Sequence, residues 1–149
     1  NNVNSFGYVS RMDNLQAAIL NFRLKNLKKI IKSRRSNIKT YLNNLDLNHV
    51  NIPIENQNEY NTYHTFVVQV NHRDALKKYL QKNGIGTAIH YPIPIHLQKC
   101  SKLLGYKMGD FPETEKQSKR ILSLPINQFL KKQEIIYISN LINKFYKNS

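Results

Sequence analysis

Gly84-Ile-Gly-Thr-Ala-Ile-His90-Tyr91-Pro92-Ile-Pro94-Ile-His96 places two glycines, two prolines and two histidines within 13 residues. Proline fixes φ and lacks an N–H, so the run from His90 to His96 can be neither a regular helix nor a central strand. Residues 85–89 read as a short strand, after which the chain breaks into a stiff, extended loop presenting His90, Tyr91 and His96. Polar, titratable side chains on such a loop suit ligand binding better than core packing. The stretch follows a helical segment, 73–83, where Leu76 and Leu80 recur at helical spacing and Gly84 supplies the stop.

Working outward from this point, residues 62–70 are rich in β-branched and aromatic side chains and predict a strand. Residues 50–54 predict a shorter one that ends around Pro53, and 57–61 form a polar turn. On the other side, 96–104 predict a short helix stopped by Gly105. Asp110-Phe-Pro112 opens another, with Asp110 as the cap and Pro112 in the first turn. Residues 121–125 read as an apolar strand, and 131–146 as an amphipathic helix carrying Ile135, Ile138, Leu141, Ile142 and Phe145.

At the start, Ser10-Arg-Met-Asp13 resembles a capping box. No Gly or Pro follows until Pro53, and Leu20, Leu24, Leu27, Ile31, Ile38, Leu42 and Leu45 form an apolar stripe. This predicts one long helix of about 30 residues or more, judged from the helical period. The element order α, β, β, α, β, α, α, β, α describes a small α/β unit of two layers: a sheet of three or four strands with helices packed on it. The chain divides into 1–46, an N-terminal segment with the long helix, and 47–149, a small α/β domain.

The length of 149 residues suffices for a sizeable core. No apolar run is long enough to span a membrane, and no signal-peptide pattern opens the chain. One cysteine, Cys100, excludes an intrachain disulfide and a cysteine-based zinc site, and fits a reducing cytoplasm. The net charge of +14 raises nucleic acid as a partner. Yet Lys far outnumbers Arg, and Asn, Lys and Ile make up over a third of the chain, the signature of an AT-rich genome on any surface. The basic face from Arg23 to Lys39 reads either as a solvated helix face or as a contact for a partner subunit or anionic ligand.

Nucleophilic serine chemistry would want a Gly-x-Ser-x-Gly elbow, and none is present. Gly84-Ile-Gly86 precedes a strand and is no phosphate loop. His90 and His96, six apart across two prolines, match no metal-ligand spacing, so no metal is expected. His64 reads as a half-buried histidine of the 62–70 strand, and His49 and His72 as surface residues.

Gly7-Tyr-Val-Ser-Arg-Met-Asp-Asn-Leu-Gln-Ala-Ala-Ile-Leu20 resembles the segment G-x-N-S-R-[LM]-D-x-[LI]-Q-A-A-x-L of the DegT/DnrJ/EryC1/StrS sugar aminotransferases. Further matches follow in family order: Tyr63-His-Thr-Phe-Val-Val-Gln-Val70, Arg73-Asp-Ala-Leu, the Gly84 to His96 stretch, Leu104-Gly-Tyr106, Gly109-Asp-Phe-Pro-Glu-Thr-Glu115 and Leu122-Ser-Leu-Pro125. The resemblance covers nearly the whole chain. It implies a fold-type I enzyme, dependent on pyridoxal 5'-phosphate (PLP), homodimeric and cytoplasmic. Such an enzyme moves an amino group, typically from glutamate, to a keto group on a nucleotide-linked sugar.

The same resemblance implies that this chain is the C-terminal part: the last helix of the large domain, then the small domain with its mostly antiparallel sheet. The family's cofactor-bearing lysine lies upstream, so the segment alone is not expected to be active. The Asn that reaches the neighbouring subunit's cofactor phosphate corresponds to Val9, which cannot donate a hydrogen bond. Ser10 and Arg11, at a helix start that favours anions, are the cofactor-binding candidates. His90 is the favoured contact to the nucleotide sugar, with Tyr91, His96 and Gln98 beside it. The competing readings are a basic nucleic-acid-binding module and a non-catalytic domain for dimerisation or regulation.

Overall fold

The computed structural model of the chain describes residues 2–5, 7 and 11–148. Helices α1 (Asn14–Leu24) and α2 (Leu27–Leu42) come first, then β1 (Val50–Asn51), β2 (Phe66–Val70) and α3 (Arg73–Lys82). Two short 3-10 helices, Ile95–Leu97 and Lys99–Leu104, lead to α4 (Pro112–Ser118), β3 (Ile121–Leu124) and α5 (Lys132–Lys147). The three strands form one antiparallel sheet in the order β1-β2-β3. The architecture is the α/β one expected, a small antiparallel sheet with helices packed on it.

Strand alternation decides which face is the core. In β2, Phe66, Val68 and Val70 are buried while Val67 and Gln69 are half-buried. The register pairs Phe66 with Leu124 and Val68 with Leu122, so β3 adds its leucines to the same face. Against it pack Ile38 and Tyr41 of α2, Leu76 and Leu80 of α3, and Ile135, Ile138, Leu141 and Ile142 of α5. Each fully buried aliphatic side chain contributes about 1.5–3 kcal/mol. Tyr41 lies over Phe66 (ring centroids 5.1 Å apart) and satisfies its hydroxyl by donating to the Pro125 carbonyl at 2.9 Å. Ser123 sits between the two leucines, facing the other side of the sheet, opposite Val67.

The expected single long helix is two helices. Their break lies at Lys25 and Asn26, where the Asn26 N–H turns back to the Arg23 carbonyl (3.0 Å). No residue of α1 is buried, and Leu20, Leu24 and Leu27 of the apolar stripe are exposed. Only from Ile38 onward does the stripe meet a core.

The strand expected at 62–70 begins only at Phe66. Arg34 of α2 donates to the carbonyls of Tyr63 and His64 (3.1 and 3.0 Å), which occupies backbone acceptors that a strand neighbour would need. Tyr63 itself has φ of 50°, incompatible with extended pairing. His64 is exposed rather than half-buried in a strand. Next along α2, the Arg35 guanidinium bonds Glu55 (2.6 Å) and the Asn61 carbonyl (2.7 Å) and lies 4.3 Å from the centre of the Tyr60 ring. Two residues of the basic face are thus tied to the 55–64 segment.

The remaining differences are local. The strand expected at 50–54 is Val50–Asn51, cut short before Pro53. That at 85–89 is one bridge, Ala88 to Ser123. The helix expected at 96–104 is two 3-10 turns separated by Gln98, whose ψ of 153° is extended. Asp110 does not cap α4. It accepts the Lys107 N–H (2.9 Å), while Phe111 takes the cap position and Pro112 the first turn.

Candidate functional site

The proline-braced loop and α4 face each other across a cleft of about 590 Å³. His90, Tyr91 and Pro94 line one side, and Thr114 and Gln117 the other. Thr114, Gln117 and Ser118 stand at i, i+3 and i+4, one face of a helix. Its helical spacing is the one signal of this stripe in the sequence. Val3 and Ile121 complete the apolar part of the wall.

His90 is placed by the sheet. Ala88 and Ser123 exchange both backbone hydrogen bonds, 3.2 Å from the Ala88 N–H and 2.7 Å from the Ser123 N–H. Strand alternation then brings His90, two residues on, to the same side as Ser123. Its Nδ1 lies 2.8 Å from Ser123 Oγ, and the serine is buried. The ring nitrogen left for a ligand is Nε2, as donor or acceptor according to tautomer. The His90–Tyr91 peptide is cis. The exposed Tyr91 ring stands edge-on to the imidazole at 5.6 Å.

His96 is not in this cleft. It is 5 % exposed, and its Nε2 lies 2.9 Å from Glu115 Oε1 beneath the loop. The same oxygen accepts the Gly109 N–H at 2.8 Å. The His96 bond, with help from Gly109, holds the Glu115 carboxyl below its usual range against the opposing effect of burial. Phe111 covers the pair, its ring centroid 4.8 Å from the imidazole. Gln98 does line the cleft, but it is buried and both ends of its amide are engaged. It accepts from Val3 N–H (3.0 Å) and donates to the Ile93 carbonyl (3.3 Å).

Of the cofactor candidates, Ser10 lies outside the described residues, as does Val9. The Arg11 side chain is 87 % exposed and pairs with Asp13 at 3.1 Å, away from the cleft lining. Neither lysine nor arginine lines the cleft, so the donor set there offers PLP neither an amine for attachment nor a cation for its phosphate. The residues described do not, by themselves, fit the cofactor. Among them no group of three His, Cys, Asp or Glu can hold a metal, and no helix is long and apolar enough to cross a membrane.

Comparison with known proteins fits this geometry. Residues 1–143 match the DegT/DnrJ/EryC1/StrS aminotransferase family. A "Pleiotropic regulatory protein" of Geobacillus stearothermophilus is 38 % identical over 147 residues, spanning 95 % of this chain and 39 % of that protein. The dTDP-3-amino-3,6-dideoxy-alpha-D-galactopyranose transaminase of Aneurinibacillus thermoaerophilus is 33 % identical, over 93 % of this chain and 38 % of its own length. The chain therefore spans well under half the length of the curated relatives it matches. Among solved structures, S. venezuelae DesV superposes with a TM-score of 0.85 at 29 % identity, over 91 % of this chain and 37 % of that one. A DegT DnrJ EryC1 StrS aminotransferase from Brucella abortus gives 0.82 at 31 %, over 91 % and 36 %. A match over nearly every residue, with the same fold, has one meaning: the chain belongs to the DegT/DnrJ/EryC1/StrS aminotransferase family.

Proposed function

We propose that this chain is the C-terminal part of a PLP-dependent aminotransferase acting on a nucleotide-linked keto-sugar. The His90 cleft is its share of the sugar-nucleotide site. One observation carries the reading: an imidazole fixed at Nδ1 by a buried serine, with Nε2 left for a ligand, opposite a polar helix face. Relatives named as transaminases of dTDP-linked and UDP-linked amino sugars support it.

The division of labour follows from the residues. His90 Nε2 hydrogen-bonds a sugar hydroxyl, and its fixed orientation lowers the entropy cost of doing so. Tyr91 offers a ring face and a hydroxyl to the sugar or base. Thr114 and Gln117 offer neutral donors and acceptors across the cleft, while Ile93 and Pro94 keep the wall dry. His96 acts beneath the loop, holding it to α4 through Glu115. Amino transfer belongs to groups this chain does not supply. Residues 1–46 form the connection to the large domain and 47–149 the small domain. The full-length enzyme is taken to be a cytoplasmic homodimer with glutamate as the amino donor, and Ser10 and Arg11 are its candidates for contact with the cofactor phosphate.

The test is a longer polypeptide containing this chain together with its upstream residues. Supplied with PLP it is expected to turn yellow, and with glutamate to convert a dTDP- or UDP-linked keto-sugar to the amino sugar, seen by mass spectrometry. A protein that stays colourless and forms no amino sugar from either class overturns the proposal.

A further inference from the structure

The segment ahead of α1 is tied to the far end of the cleft loop by one side chain. Gln98 accepts the Val3 N–H through Oε1 (3.0 Å) and donates Nε2 to the Ile93 carbonyl (3.3 Å). The Cys100 N–H then donates to the Val3 carbonyl (3.2 Å), so Val3 is held on both sides of its backbone. Gln98 is buried, and the extended backbone there separates the two 3-10 turns. Val3, Ile93 and Gln98 all line the cleft with His90. A buried amide with both ends satisfied is a poor ligand contact, because a ligand would have to break a bond already made. It is a good spacer, since it fixes the distance between two backbone segments.

We infer that Gln98 is a positioning residue: it docks the Val3 segment onto the 93–98 loop and so sets the width of the cleft in which His90 works. This rests on reading the cleft as the sugar-nucleotide site, and it assigns Gln98 a role through the loop instead of a contact to substrate. The N–H of Val3 and the side chain of Gln98, 95 residues apart, act as one element.

The complete enzyme tests this with two substitutions that remove the same bond from opposite ends. Gln98→Met keeps length and volume and deletes both hydrogen bonds; Val3→Pro deletes only the N–H. Each is expected to raise KM for the nucleotide sugar about tenfold, the scale of a misplaced binding wall. Turnover at saturating sugar and KM for the amino donor stay unchanged. The double variant is no worse than Gln98→Met alone, because the bond that Val3→Pro removes is already lost there. Gln98→Glu, which keeps the acceptor facing Val3, falls between wild type and Gln98→Met. Amide exchange supplies a readout independent of activity: both single variants speed exchange across residues 93–98. Effects that multiply in the double variant, or unchanged exchange in 93–98 with Val3→Pro, overturn the inference. A wild-type enzyme that aminates no nucleotide sugar overturns the functional reading instead, and the exchange comparison then still decides this one.

Discussion

His96 and Glu115 meet 19 residues apart in sequence, Nε2 to Oε1 at 2.9 Å, and both are buried. The pair fastens the proline-braced loop to α4, and Gly109 adds its N–H to the same carboxylate. A carboxyl held below its ordinary value near 4.5 by such bonds stabilises the fold above that pH. The contribution is lost as pH falls through the lowered folded value. Glu115→Gln removes the titration while keeping the shape. The melting temperatures of wild type and Glu115→Gln are therefore expected to differ most at neutral pH and to converge only in acid, once pH has fallen through the lowered value of the wild-type carboxyl. Curves that stay parallel into acid would show that the Glu115 carboxylate does not stabilise the fold through its bonds to His96 and Gly109.

A second depressed carboxylate lies beside α2. The Arg35 bond, then the Asn61 N–H, hold Glu55 down to about 2, despite opposing desolvation. The sign is the same: stability present above about 4.5, lost only as pH falls toward about 2. Arg35→Lys keeps the charge but loses the planar stacking on Tyr60 and the shared reach to the Asn61 carbonyl. The Glu55 carboxyl is expected to titrate at higher pH in that variant, and residues 55–63 to exchange their amides faster. NMR titration and hydrogen exchange measure both.

These two clusters also show what a sequence can disclose. Elements whose signals are local were legible. Gly84 at φ 78° ends α3, Pro112 opens α4, β2 alternates around Phe66, Val68 and Val70, and α5 carries its apolar stripe to the core. Features set by distant partners were not. His96 reads as a loop histidine because nothing near it announces Glu115, and Gln98 reads as a ligand because Val3 is 95 residues away. The strand at 62–70 lost its first part to Arg34, which β propensity does not register. The helix break at Asn26 carries no glycine or proline to mark it, and an apolar stripe cannot report that its first half meets no core. His90 was legible as a candidate from the prolines around it, while its Ser123 partner follows only from the Ala88 bridge.

The contrast between α1 and α2 gives a direct stability test. Leu15 and Phe22 are 73 % and 69 % exposed, whereas Ile38 is fully within the core. In this chain Leu15→Glu is expected to change stability by less than about 0.5 kcal/mol, as for an uninvolved surface site. Ile38→Ala should cost about 2–4 kcal/mol, the transfer and cavity terms together. Denaturant melts separate the two. A loss above about 1 kcal/mol for Leu15→Glu, a size that surface changes rarely reach, would mean that α1 packs on this unit in solution.

On the proposed function, His90 and Ser123 share the task of holding the nucleotide sugar in a way that kinetics can resolve. In the complete enzyme, His90→Ala removes the Nε2 contact outright, and the KM for the nucleotide sugar is expected to rise about 10- to 100-fold, the value of one or two hydrogen bonds to a neutral polar ligand. Ser123→Ala leaves the imidazole in place but frees its Nδ1 and lets the ring rotate. Its effect should be smaller, about three- to tenfold, because orientation is lost and not the contact itself. In the His90→Ala background Ser123→Ala should do nothing further, since the hydrogen bond it makes to the imidazole has gone. KM for the amino donor serves as the internal control, since on the proposed function the cleft wall holds the nucleotide sugar. A Ser123→Ala effect that persists without His90 would assign the serine to the sheet and remove it from the site.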